Sequence, residues 1–452
     1  MAPRFATRTV YWALLLSPGL LPLLWVYLPF QDWPGHVGIL GVMTHWGEPG
    51  TEYYAWRSHL GPNRLFYLLA WPLAEVSSSL LALRVVLAVS LAAFAPAVHF
   101  LLRSIGKHTQ VAVAAVPLAL GRHLLSGFAT TSAALPAFIV ALAFFFLLRR
   151  SGSWRHALAL SAVTLATAGF HAFIWCVLMG FLGLGVTWEL VRREWRAAAM
   201  TGGAALLPLV LLPLMSFAAA TPEHSEGTTA ALIAALRFPS STVGDVAWEW
   251  TFASLRYSLL DDFIQAGWCV ALAMLFIASF LLSKQRARPS DVPVLMLWLS
   301  STILVFLFLG EHIGPPVNWW GGSLRLPVVA ALLLICIAAP TMHAEAGLRS
   351  GFRPVQLSGA WFGLMGIGFS TLLHVHVAKF SMETMAGLST VLDAAPPGKR
   401  LCPLHSATRA LNEFPGEPQG YVGNYYVAAK MGAVPQGMFG NPGVIAKHRV
   451  GL

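Results

Sequence analysis

Apolar runs that end in polar or basic turns recur along almost the whole chain. About eleven can be drawn, at residues 10–29, 80–102, 109–121, 131–148, 156–171, 172–191, 198–217, 263–283, 292–309, 326–343 and 355–377. Most hold roughly 17 to 25 residues, enough for a helix to cross the hydrocarbon of a bilayer. Only helices and closed barrels satisfy their backbone in lipid, and runs of this length without strand alternation predict helices. The fold expected is an all-α polytopic membrane protein.

Composition agrees. Of 452 residues 57% are hydrophobic and 11% charged, and the mean hydropathy is +0.66, which excludes an ordinary soluble core of this size. The first run follows Arg4 and Arg8, lacks a small-residue cleavage pattern, and reads as an uncleaved anchor with its amino terminus in the cytoplasm. Alternating spans then place Arg103, Lys107, Arg149, Arg150, Arg155, Arg192, Arg193, Arg196, Lys284, Arg286, Arg288, Arg349 and Arg353 on that same side. With Arg4 and Arg8 this gathers 15 of the 29 basic residues in short cytoplasmic segments, the positive-inside pattern. The net charge of +10 is thus mostly a topology signal. No basic, aromatic-interleaved soluble face suggests nucleic acid.

Four segments then fall outside: a first loop at 30–79, a turn near 122–130, a long loop at 218–262, and a carboxy-terminal tail. We divide the chain into a transmembrane module, 1–393, and a small outer segment, 394–452, that starts in Ala394-Ala395-Pro396-Pro397-Gly398. At about 60 residues the tail is small for an independent core and is expected to pack on the outer surface. Trp33, Trp46, Tyr53, Tyr54 and Trp56 in the first loop predict short amphipathic helices with their rings at headgroup depth. Cys176, Cys269 and Cys336 lie in apolar runs and Cys402 alone lies outside, so no disulfide is expected.

Candidate chemistry centres on Asp32, a lone carboxylate in Gln-Asp-Trp-Pro-Gly-His at the outer mouth of the first span. It is either a reactive acid or the cap of a loop helix with Pro34 in its first turn. His36, four residues on, shares its face if 33–43 is helical, and either orients the carboxylate, joins it as a metal ligand, or is an interface histidine. Glu48 and Glu52, also four apart, read first as solvated loop acids. Glu223-His224-x-Glu226 has metal-ligand types but no second His or Cys cluster. Asp261-Asp262 suit a helix start, and His374 and His376 diverge on a helix. Trp319-Trp320-Gly321-Gly322 reads as an interfacial turn or a sugar-stacking platform.

Several short phrases carry a resemblance. Leu60-Gly61-Pro62-Asn63-Arg64-Leu65-Phe66-Tyr67 precedes Ala82-Leu83-Arg84-Val85 at the opening of a long span, and Ser323-Leu324-Arg325-Leu326-Pro327 opens a late one. Together with Asp32 and Arg122-His123 they resemble the GT-C integral membrane glycosyltransferases of the protein-mannosyltransferase and aminoarabinose-transferase type. Asp32, Tyr67 and Arg84 take the places of that family's acid, loop-helix tyrosine and span-opening arginine. The resemblance implies sugar transfer from a polyprenyl-phosphate donor held in the bilayer to an acceptor at the outer face of a bacterial-type plasma membrane. It makes Asp32 the general base, makes Arg325 and Arg122 the donor-phosphate ligands, and gives His36, Tyr67, Arg84, Trp319 and Trp320 supporting places. Arginine suits a phosphate because its charged guanidinium can make two parallel hydrogen bonds; the plainer reading is a snorkelling arginine. A divalent cation, if one takes part, would fall to Asp32 and His36.

Asp32 is followed by Trp33 where the family has a second acid, which keeps a non-catalytic lipid-binding subunit as an alternative. A transporter or flippase of lipid-linked substrate is a third reading, although the drawn spans carry no acid at their centres.

Overall fold

The computed structural model describes residues 2–56, 61–217, 291–308, 325–341, 354–400 and 422–431, with isolated positions at 270, 273–275, 277, 312–313, 319–320, 433 and 446–448. Helix α1 (Ala2–Leu16) leads through a 3-10 turn into α2 (Leu20–Leu24). The first span thus stops at Leu24, short of its drawn end. Beyond lie α3 (Trp33–Thr44), strand β1 (Tyr54–Trp56), α4 (Leu65–Glu75) and the long α5 (Ser79–Ser104). The Ser78 hydroxyl caps α5 by accepting from Leu81 N.

The segment drawn as the short third span is a seven-residue 3-10 helix, Thr109–Ala115, continued by α6 (Val116–Ala119) and α7 (Arg122–Leu125). At about 2 Å per residue, a 3-10 helix reaches farther than an α-helix of equal length. Residues 111–116 are buried, and irregular backbone at membrane depth is tolerated when protein surrounds it. Next come α8 (Ala129–Ser151), α9 (Trp154–Phe170), α10 (Ala172–Val191) and α11 (Trp195–Phe217), close to the runs drawn for them. Helix α12 (Val292–Phe308) is followed by strands β2 (His312–Ile313) and β3 (Trp319–Trp320), then α13 (Leu326–Ala338) and α14 (Pro354–Lys379). Four described helical runs are long and apolar enough to cross a membrane: Ser79–Ser104, Ala129–Ser151, Ala172–Val191 and Gly359–Ala394. Shorter apolar helices join them. The chain is a helical, multi-pass membrane protein. The long loop 218–262 and most of the run at 263–283, with Glu223, His224, Glu226, Asp261, Asp262, Cys269 and Cys402, lie outside the described residues.

At one end ion pairs tie the helices together. Arg149 meets the fully buried Glu189 at 3.0 Å and Asp291 at 3.2 Å, and Arg150 meets Asp291 at 2.6 Å, joining α8, α10 and the foot of α12. Lys107 Nζ donates to Ala339 O at 2.6 Å, closing the last turn of α13. Between the ends, Trp298 stacks on Phe181 at 5.1 Å and donates Nε1 to its carbonyl, locking α12 to α10.

The opposite end has its own apolar cluster of α2, α3, α4, α5, α7 and α14 with the tail. Helix α15 (Leu388–Ala394) ends where the tail begins, and the tail supplies α16 (Gly423–Lys430) and strand β4 (Ala446–His448), which pairs antiparallel with β1. Helix α16 lies on α3 so closely that a Cβ on Gly41 would sit 2.5 Å from Ala428 Cα. The tail therefore covers the first loop. The expected interfacial habit of that loop does not hold for α3, whose residues from Trp33 to Met43 are all buried. Its sequence from Val37 to Met43 has no polar side, and tail and bundle close over it from both directions. The two short ribbons, β1 with β4 and β2 with β3, are the departures from an all-α chain.

Candidate active site

Asp32 occupies the N-cap position of α3, yet its side chain makes no capping hydrogen bond. The capping alternative therefore does not describe it; its carbonyl starts the helix by accepting from His36 N, and its carboxyl stays available. The loop after α7 holds it from behind. Gly127 has φ +90°, and a Cβ there would stand 2.2 Å from Asp32 N, so this turn needs glycine both for its conformation and for the close approach.

One turn along α3, His36 Nδ1 lies 2.6 Å from the Tyr67 hydroxyl of α4. Both side chains are buried. Burial lowers the His36 pKa to about 4, and a hydrogen bond with the Gly127 backbone opposes the shift. A backbone bond that favours the protonated ring is one in which the ring donates to the carbonyl. This leaves Nδ1 of the neutral ring to accept from Tyr67. Burial and then the Asp32 charge raise the Tyr67 pKa, so the phenol keeps its proton and stays a donor.

Arg325 approaches from the foot of α13. Its Nε donates to Thr131 Oγ1 at 2.9 Å, and its guanidinium lies over the Phe128 ring at 3.8 Å. Thr131 and Phe128 flank the start of α8, so the arginine is packed on one face rather than left to snorkel. It is only 8% exposed; burial brings its pKa down to about 10 while Asp32 opposes this, so it remains a cation at neutral pH. Asp32 responds in turn. Burial raises its pKa from 3.8 to about 6, with Arg325 pulling the other way.

Two further histidines meet this group. His123 of α7 is buried and feels Arg325, with a pKa lowered to about 3 chiefly by burial. His171, between α9 and α10, lies within electrostatic range of both Arg325 and His36. Sequence reasoning quoted His123 only as part of a phrase and missed His171. The available signal was a lone histidine at the drawn turn, in a stretch from 157 to 188 that holds no charged residue. Asn63, at φ 63°, ties the Tyr67 loop to the same turn: its side chain accepts from Ala172 N at 2.7 Å, and Arg64 N donates to Gly169 O at 2.8 Å.

The other candidates sit apart. Arg84 donates Nε to Pro22 O and Nη2 to Leu23 O, each at 2.6 Å, and so closes the last turn of α2. Glu48 pairs with His45, and Glu52 accepts from Gly50 N. His374 accepts from Trp25 Nε1. Arg122 opens α7, but its side chain lies outside the described residues, as do those of Trp319 and Trp320, whose backbone forms β3. Among the described residues no three His, Cys, Asp or Glu side chains gather as a metal ion requires. With Tyr67 on His36 Nδ1 and Arg325 near Asp32, the pair expected to share a cation does not form a fitting donor set.

No protein-family model matches the chain, and no curated protein matches its sequence. Solved structures do. ArnT from Cupriavidus metallidurans bound to undecaprenyl phosphate aligns with a TM-score of 0.54 at 14% identity, over 95% of this chain and 84% of that one. The same protein in the apo state aligns at 0.51, again with 14% identity, over 92% and 83%. At this identity the likeness is one of fold: the chain shares the GT-C fold of these ArnT structures over most of its length.

Proposed function

We propose that the protein is a glycosyltransferase that moves a sugar from a polyprenyl-phosphate donor to an acceptor at the outer face of the plasma membrane. The observation that carries this reading is the carboxyl of Asp32, engaged in no cap and raised to about 6, facing the buried cation Arg325. A base poised near neutrality and a fixed cation are what the reaction asks of the protein. As the acceptor oxygen or nitrogen attacks the anomeric carbon, Asp32 takes its proton. The bond from that carbon to the phosphate oxygen breaks, and its electron pair leaves with the phosphate beside Arg325. A single displacement inverts the anomeric carbon. His36 and Tyr67 set the position of α3 and keep neutral hydrogen-bonding groups around the carboxylate. No step is assigned to a metal.

On this reading, with about eleven spans and a cytoplasmic amino terminus, Asp32 and the carboxy terminus lie outside together with the donor's headgroup. The donor class draws support from the undecaprenyl phosphate named for the first ArnT structure. Arg122, Trp319 and Trp320 retain the roles that the resemblance implies for them.

The test is turnover of radiolabelled polyprenyl-phosphate sugars by the purified protein in nanodiscs, wild type beside Asp32→Asn and Arg325→Ala. Transfer or donor hydrolysis abolished by Asp32→Asn, with donor binding weakened by Arg325→Ala, is the expected result. Donor binding without turnover in the wild type would favour the lipid-binding subunit. No binding across a broad donor set would favour transport.

A further inference from the structure

His123 is not used by the mechanism above, and its surroundings make it unusual. The ring is buried, and among the described residues its Nε2 has no hydrogen-bond partner. An imidazole nitrogen enclosed without a partner forfeits its bonds to water, a loss that a ligand bonded to it offsets. Its backbone is tied to the residue that Arg325 covers: Phe128 N donates to His123 O at 3.1 Å, and Phe128 is the ring under Arg325. His123 also lies close enough to Arg325 for the two to interact electrostatically, and the loop it belongs to backs onto Asp32 through Gly127.

We propose that His123 is a ligand of the donor's phosphate, with Nε2 donating to a phosphate oxygen beside Arg325. This rests on the glycosyltransferase reading and adds to its arginines a neutral group that receives the leaving phosphate. A neutral imidazole carries one N–H, which suits a single-point donor next to a guanidinium. Burial and Arg325 both hold the ring neutral, so it adds a directed hydrogen bond without repelling the arginine. The phosphate thus meets a neutral donor from α7 beside the charged one at the start of α13.

The experiment measures binding of undecaprenyl phosphate and of the uncharged polyprenol to the full-length protein in nanodiscs. Wild type is compared with His123→Ala, His123→Gln, Arg325→Ala and Asp32→Asn. Loss of one hydrogen bond to a charged group predicts that His123→Ala weakens phosphate binding about ten- to a hundredfold and leaves polyprenol binding unchanged. His123→Gln, whose amide can still donate, should recover most of the loss, and Asp32→Asn should bind at least as tightly as wild type. Inorganic phosphate in millimolar excess should leave the lipid bound; displacement would assign the seat to free phosphate instead. Equal weakening of polyprenol and phosphate by His123→Ala, no weakening at all, or no rescue by glutamine would each overturn the assignment while leaving the enzyme reading intact. A wild type that does not prefer the phosphate to the polyprenol would instead sink that reading, and this assignment with it.

Discussion

Replacing Asp32 with asparagine removes a carboxyl that burial lifts from 3.8 to about 6 against the pull of Arg325. Because the folded-state value lies above the unfolded one, the group favours the fold most below about pH 4, and this contribution is lost as pH rises through about 6. The full difference corresponds to about 3 kcal/mol, which we discount to about 2 because the carboxyl is partly exposed and screened. Asparagine is nearly the same shape and never ionises. The variant should therefore match wild type in thermal stability near pH 4, gain about 2 kcal/mol over it by pH 7, and gain nothing more above. Catalysis should move the other way, with turnover falling about a hundred- to ten-thousandfold, the usual contribution of a general base. In wild type, turnover should fall tenfold per pH unit below about 6, as Asp32 takes up its proton and loses its function as base. Tryptophan-fluorescence melts across this pH range, paired with transfer assays, read both effects on one preparation. A stability gap that stays flat or closes with rising pH, or turnover within a few-fold of wild type, would refute the burial of an ionised base at this position.

Gly127→Ala should lose about 2–4 kcal/mol and at least a hundredfold in turnover, because its Cβ would press on Asp32 N from a backbone at φ +90°; a melt and a transfer assay measure both. Glu189→Gln removes one of the two carboxylates that meet Arg149, with Asp291 remaining at 3.2 Å, and should destabilise by about 1–3 kcal/mol while leaving polyprenyl-phosphate binding within a few-fold of wild type. Gly41→Val should lift α16 from α3, since even one Cβ would stand 2.5 Å from Ala428 Cα; limited proteolysis should then cleave the tail faster than in wild type.

That the chain is a helical, multi-pass membrane protein was legible in the sequence because hydropathy is a sum over neighbouring residues, and neighbours alone decide whether a helix can cross lipid. So was the burial of α3, in principle, from the missing polar side of Val37 to Met43, although the loop's aromatic residues pointed to the interface instead. Spacing of four residues put Asp32 and His36 on one face. A family resemblance singled out Arg325. What the sequence left open is who meets whom. Arg325 bonds Thr131 across 194 residues, His36 bonds Tyr67 across 31, and Gly127 backs Asp32 from the far side of α5. His171 joins only because the turn between α9 and α10 rises beside α13's foot. Arg84, a site candidate by position in a phrase, caps α2 once α5 packs against it. Contacts of this kind depend on how helices pack and which turns share an end of the bundle, and they are set by side-chain complementarity over the whole structure rather than by any local run.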